Sequence, residues 1–218
     1  MIDLDIIKDL QTRGCPVCEH LQEQILHFFS HWQYRMACDE NTQWIFADER
    51  GFCSFHNWQL ASISSSRGLA AGLPSFLAQL ADDLLLMAEN PIKVNTQEIV
   101  KMPDQCSVCN RLKKWTEEYI GLLVDMLDSE GGRMAYKASQ GVCLRHLKPL
   151  LQSVKSEAIR NFLLSEASRR FRELREDLLT YLRKHENLQR QDLTANEKDA
   201  VWRAMIHVAG EKQIPFDT

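Results

Sequence analysis

The sequence predicts an all-α protein: a duplicated helical unit carrying Cys3His metal staples, then a long amphipathic helix and a short final helix. Three observations predict it. No stretch sustains the period-two alternation of a half-buried strand. Apolar residues instead recur at spacings of three and four through several long segments. A Cys-x-x-Cys pair answered by a Cys-x-x-His pair occurs twice within 218 residues.

The elements follow in order. Cys15-Pro16 opens the first long helix, because proline suits a first helical position, where its missing N–H would have no partner. Leu21, Ile25, Phe28, Trp32 and Met36 then fall on one face. "LPSFLAQLADDLLLMAEN" reads as another helix, with Pro74 in its first turn and Pro91 beyond its end. "NPIKVNTQEIVKMPD" reads as a linker. After Cys109, residues Leu112, Trp115, Tyr119, Leu122 and Met126 repeat the rhythm of the first helix. From about 153 to 190, Ile159, Phe162, Leu163, Leu174, Leu178 and Leu182 form one apolar stripe amid dense charge. A last helix, roughly Ala195 to Ala209, stops at Gly210. The chain therefore divides into a first repeat at 1–92, a linker at 93–103, a second repeat at 104–152 and C-terminal helices at 153–218. The C-terminal helices are expected to pack on both repeats, with Trp202 as a core anchor.

Hydrophobic residues make up 44% of the chain and charged residues 26%, ordinary for a soluble globular protein. A formal net charge of -4 gives no general attraction to nucleic acid or to an anionic membrane. The start, "MIDLDIIKDL", lacks the basic region and long apolar run of a signal peptide. "SFLAQLADDLLLMAEN", broken by Asp82 and Asp83, reads as too short to span a bilayer. The expectation is a cytoplasmic protein without nucleic-acid or membrane partners. In a reducing compartment its seven cysteines are ligands or free thiols rather than disulfides.

The Cys/His sets carry the chemistry. Cys15 and Cys18 recur as Cys106 and Cys109 after 91 residues, and Cys53 and His56 recur as Cys143 and His146 after 90. Gly51 and Gly141 precede the later pairs equivalently. Each repeat thus offers three thiols and one imidazole, enough for one tetrahedral ion. A spacing of three places two ligands on one helical turn. Because each pair stands at a helix start, two positive dipole ends would face one thiolate-rich centre and stabilise it. Spacing alone leaves the pairing open: closure within a repeat is feasible, and closure between repeats is also compatible. Two Zn2+ ions are the expected cofactors, since zinc is the usual occupant of Cys3His sites; an iron–sulfur cluster or a thiol redox centre is the alternative. CPVC has the spacing of a thioredoxin motif, but no βαβ pattern surrounds it.

At these residues the chain resembles a family of prokaryotic proteins classed as a domain of unknown function. In that family a CPxC…GFCxxH pattern occurs twice, and a later segment holds an Arg-Lys pair, then a Trp-Arg-Ala stretch ending in Gly. Arg183, Lys184, Trp202, Arg203, Ala204 and Gly210 match the later segment. Ser107 and Val142 depart from the pattern without removing a ligand. The resemblance implies the metal sites and the helical architecture, and no activity.

Other candidates are weaker. His27 and His31, four apart on the first helix, lack the glutamate of a zincin motif and read as a surface or half-buried pair. Cys38 has no counterpart in the second repeat. The basic run "RRFRELRED" is interleaved with acids and reads as a solvated face with i, i+4 ion pairs. No glycine-rich phosphate loop, nucleophile elbow or paired catalytic carboxylates occur, so no residue is assigned a catalytic role. The functional expectation is a metal-binding interaction or regulatory scaffold, taking a protein partner or small ligand in a groove between the repeats.

Overall fold

In a computed structural model of the chain, residues 4–89, 100–187 and 190–214 are described, and they form α-helices with no strand. The helices are α1 (Leu4–Asp9), α2 (Pro16–Cys38), α3 (Glu40–Asp48), α4 (Ser54–Ile63), α5 (Ser66–Glu89), α6 (Ser107–Leu127), α7 (Glu130–Ala138), α8 (Leu144–Ser153), α9 (Glu157–Glu186) and α10 (Ala195–Ala209). The all-α expectation holds. Most of the expected linker, residues 93–99, lies outside the described residues.

Short polar side chains start several of these helices by accepting the first free N–H groups. Asp39 accepts from the backbone of Asn41 and Thr42 at α3, Ser129 from Gly132 at α7, and Ser156 from Ile159 at α9. Thr194 and Glu197 form a reciprocal capping box at α10.

The described residues fold as two compact units, one built from 4–21, 115–187 and 190–214, the other from 22–89 and 100–114. Both draw on α2 and α6. In the second unit an aromatic core gathers on α2, α3 and α5. Phe52 meets Phe29 at 5.6 Å and Phe46 at 5.3 Å between ring centroids, and Phe46 meets Phe76 at 5.2 Å. Gly72 admits Met36, whose Cε would stand 2.0 Å from any Cβ added there. The start of α5 departs from the sequence reading. It begins at Ser66, so Pro74 lies inside the helix rather than in its first turn. Gly68 and Gly72 dilute the apolar period upstream of the proline, and the Ser65 hydroxyl caps the true start by accepting from Gly68 N–H. Extended to 24 residues, α5 is long and apolar enough to cross a membrane by length and composition, unlike the shorter segment read from the sequence.

In the first unit α10 packs on α9 and α8, and Leu123, Leu127, Tyr136, Leu150 and Leu163 are buried. The Tyr119 hydroxyl donates to Asp9 at 2.8 Å, tying α6 to α1. Leu123 is buried and Leu122 exposed, the reverse of the sequence reading: the apolar stripe drifts by one residue along α6. The largest correction concerns α10. Its inward face is Ala200, Arg203 and His207, spaced three and four, which turns Trp202 outward at 72% exposure. Arg203 is satisfied inside by Asp177 and Asp199, each at 2.8 Å, and by the Asn196 carbonyl at 2.7 Å. Burial lowers the His207 pKa and keeps that ring neutral.

The basic run on α9 is likewise only partly a solvated face. Arg169 pairs with Glu173 at 2.7 Å as the i, i+4 pattern predicts, but Arg170 and Glu166 are buried.

These positions predict opposite costs for two substitutions. Leu163→Ala should lower stability by about 2–5 kcal/mol, the range for a truncated core leucine. Trp202→Ala should stay within about 0.5 kcal/mol, as expected of an exposed site. Urea unfolding of the metal-loaded chain measures both, and a large loss from the tryptophan variant would return Trp202 to the core.

Candidate metal centres

All four ligand pairs open helices. Cys53 and Cys143 are the N-caps of α4 and α8, with extended backbones of nearly equal dihedrals (φ -63, ψ 164 and φ -69, ψ 164). Cys15 and Cys106 immediately precede α2 and α6. In each case the cysteine carbonyl accepts the first helical N–H: from Glu19 at 3.0 Å, Asn57 at 2.9 Å, Asn110 at 3.0 Å and Leu147 at 2.8 Å. The thiols of Cys53 and Cys143 make no capping bond. The second ligand, three residues on, lies on the first turn and converges on the same point.

The structure brings all eight predicted residues into two buried groups, and each group takes one pair from each expected repeat. Cys15 and Cys18 join Cys143 and His146; Cys53 and His56 join Cys106 and Cys109. Within each group the ligand atoms all lie within 4.8 Å of one another. In the first, His146 Nδ1 stands 3.4, 3.5 and 3.3 Å from the sulfurs of Cys15, Cys18 and Cys143, and Cys18 is 3.9 Å from Cys143. In the second, His56 Nδ1 stands 3.2, 3.5 and 3.3 Å from Cys53, Cys106 and Cys109, and Cys53 is 3.8 Å from Cys109. A tetrahedral ion with metal–sulfur bonds of about 2.3 Å and a metal–nitrogen bond of about 2.0–2.1 Å requires sulfur–sulfur edges of about 3.8 Å and sulfur–nitrogen edges of about 3.6 Å. Both groups could hold one ion.

The electrostatics agree. Three buried thiols cannot all ionise side by side, so charge collects on one. Hydrogen bonds from Cys15 and Cys18 hold the Cys143 thiol far below its ordinary pKa, and bonds from Cys109 and Cys53 do the same for Cys106. Donation to Cys143 pushes Cys18 up to about 12; donation to Cys106 pushes Cys109 far up. Burial raises Cys15. A divalent cation in place of the shared protons would let all three thiols ionise together.

The C-terminal segment contributes to the first group, a role that sequence reasoning missed. The backbone of Glu211 hydrogen-bonds to Cys18, drawing its pKa down against the larger upward pull. Gly210, with φ +78, makes that turn, and a Cβ there would stand 3.9 Å from the sulfurs of both Cys18 and Cys143. The sequence signal was the glycine closing the Trp-Arg-Ala stretch. Cys38 is exposed, its thiol 3.1 Å from the Tyr34 carbonyl, and joins neither group. His27 and His31 are exposed; the His31 ring bonds the His27 carbonyl, and no third ligating side chain joins them among the described residues.

A family model described as "Family of unknown function (DUF6062)" matches residues 86–214. The chain belongs to this family. No curated protein and no solved structure matches the chain. The span matched by DUF6062 holds Cys106, Cys109, Cys143 and His146, which is half of each ligand group.

The crossed pairing predicts which ligand losses overlap. Cys15→Ser and Cys143→Ser should each cost the same one equivalent of metal, and the double variant no more than either. Cys15→Ser with Cys106→Ser should lose both equivalents, as elemental analysis per chain would show. If Cys15→Ser and Cys53→Ser prove to share one equivalent, the pairing is within repeats instead. Gly210→Ala strains a backbone at φ 78, ψ 178, a region essentially confined to glycine, by about 1–3 kcal/mol and should speed chelator release of one equivalent only.

Proposed function

We propose that the chain is a helical scaffold stapled by two structural zinc ions, cytoplasmic, acting by binding a partner rather than by catalysis. The observation that carries this reading is the closure of both sets: four protein donors within 4.8 Å, buried, leaving no coordination position for substrate. Three thiolates and one imidazole favour zinc among the common divalent ions. An iron–sulfur cluster is the weaker reading. Its ligands are spread over several irons and stand further apart than donors sharing one ion, whereas these sets have the dimensions of a single ion.

Structural zinc supplies about 10–16 kcal/mol of apparent binding free energy in finger peptides. That matches or exceeds the whole stability of a typical domain, about 5–15 kcal/mol. Elemental analysis after anaerobic purification should therefore give about two zinc per chain, in a colourless protein whose helical circular dichroism collapses on strong chelation. Iron with acid-labile sulfide and visible absorption would replace this reading with a redox protein. A metal-free protein whose seven thiols all titrate freely in the native state would end both.

A further inference from the structure

A cavity of about 270 Å³ opens in the first unit between the turn after α7 and the facing sides of α9 and α10. Its wall is polar: Lys137 from the end of α7, Gln140 from the turn, Arg170 from α9, and Asn196, Arg203 and His207 from α10. Four cationic side chains reach it, Arg169 included, against two acids, Glu173 and Asp177. Those acids are engaged, Glu173 with Arg169 and Asp177 with Arg203.

Two buried members of this wall have unused bonding capacity. Arg170 is 7% exposed; its Nε donates to the Ser139 carbonyl at 3.1 Å and its Nη2 to the Tyr136 carbonyl at 2.5 Å. The Tyr136 side chain also hydrogen-bonds the guanidinium, and its ring centroid lies 4.7 Å from Cζ, but no carboxylate stands close. The one carboxylate within 4 Å of the guanidinium is Glu166 at 3.9 Å, and that oxygen already accepts two bonds from Arg169. Arg203 shows the contrast, with two carboxylates at 2.8 Å. A buried guanidinium without a close counter-ion is costly, and here it borders an open space. His207 is 3% exposed, and its Nε2 has no partner. The ring's bond to the Val142 backbone therefore uses Nδ1, which makes Nε2 of the neutral imidazole an acceptor.

The cavity thus offers a cationic donor and a neutral acceptor in a space at the small end of ligand sites, which run to roughly 300–1,000 Å³. We infer that it binds a compact oxyanion that also carries an O–H donor, of which hydrogen phosphate is the simplest. The anionic oxygen meets Arg170, the exposed Lys137 adds attraction from the end of α7, and the O–H reaches His207. This assignment is independent of which metal the Cys/His groups hold.

Calorimetric titration of the full metal-loaded chain at neutral pH with inorganic phosphate, and in parallel with sulfate, tests it. Sulfate matches phosphate in size but lacks the O–H. The expected result is saturable one-to-one phosphate binding, with sulfate at least about fivefold weaker. Arg170→Gln should weaken phosphate at least about tenfold, and His207→Leu should erase the preference over sulfate, with metal content unchanged in both. Two results on the unmodified chain would overturn the inference regardless of how the variants fold. One is no saturable phosphate binding up to about 10 mM, where even weak sites fill. The other is equal affinity for phosphate and sulfate.

Discussion

Everything in this structure depends on placing four soft donors within 4.8 Å of one another, twice, inside a helical protein. Three thiols and an imidazole so close and so buried are poorly stable alone: each ionised sulfur raises the cost of the next, and burial raises it again. The fold eases this in two ways. Helix N-termini supply partial positive charge, from α2 and α8 at one group and α4 and α6 at the other. Hydrogen bonds then concentrate the remaining negative charge on Cys143 and Cys106. Both devices act in the same direction as a bound cation. The protein stands prepared for one before it arrives.

How much of this the sequence discloses can be followed residue by residue. The eight candidate ligands are legible because thiols and imidazoles at a spacing of three, repeated after nearly equal intervals, suit metal binding better than any other role. Their position at helix starts is legible from Pro16 and from the glycines before Cys53 and Cys143. The pairing is not, because both partitions use identical spacings. Helix length carries the missing information. A helix of 23 residues, α2, rises about 35 Å and carries the chain far from Cys15. Closure within the repeat would need the chain to return that whole distance before Cys53. Pairing across the repeats removes that demand, since each set draws its second pair from a segment arriving separately.

Other misreadings share one cause. Periodicity places a residue on a face but does not say which face is buried. Trp202 reads as an anchor because a large aromatic ring gains most from burial, yet α10 turns Ala200, Arg203 and His207 inward. Arg203 can be there because two carboxylates and a carbonyl replace its lost water. Leu122 and Leu123 are similarly adjacent, and a rotation of about 100° decides between them. Pro74 misplaces a helix start because proline is commonest in the first turn, although a helix can continue through it when only one backbone bond is lost.

The C-terminal helix then acquires a purpose that its apolar content alone would not give it. Along its length Arg203 locks it to α9 through Asp177, His207 bonds the backbone beside Cys143, and past its end Gly210 lets Glu211 reach Cys18. The same helix supplies Asn196, Arg203 and His207 to the cavity wall. One helix therefore borders the cavity and leads, through the turn at Gly210, to the first ligand group. The glycine is the residue that makes this possible: at φ +78, any side chain would strain the turn and stand against both sulfurs. In this chain the Trp-Arg-Ala…Gly stretch is explained by its arginine and its glycine, while its tryptophan faces outward and serves neither the cavity nor the sulfurs.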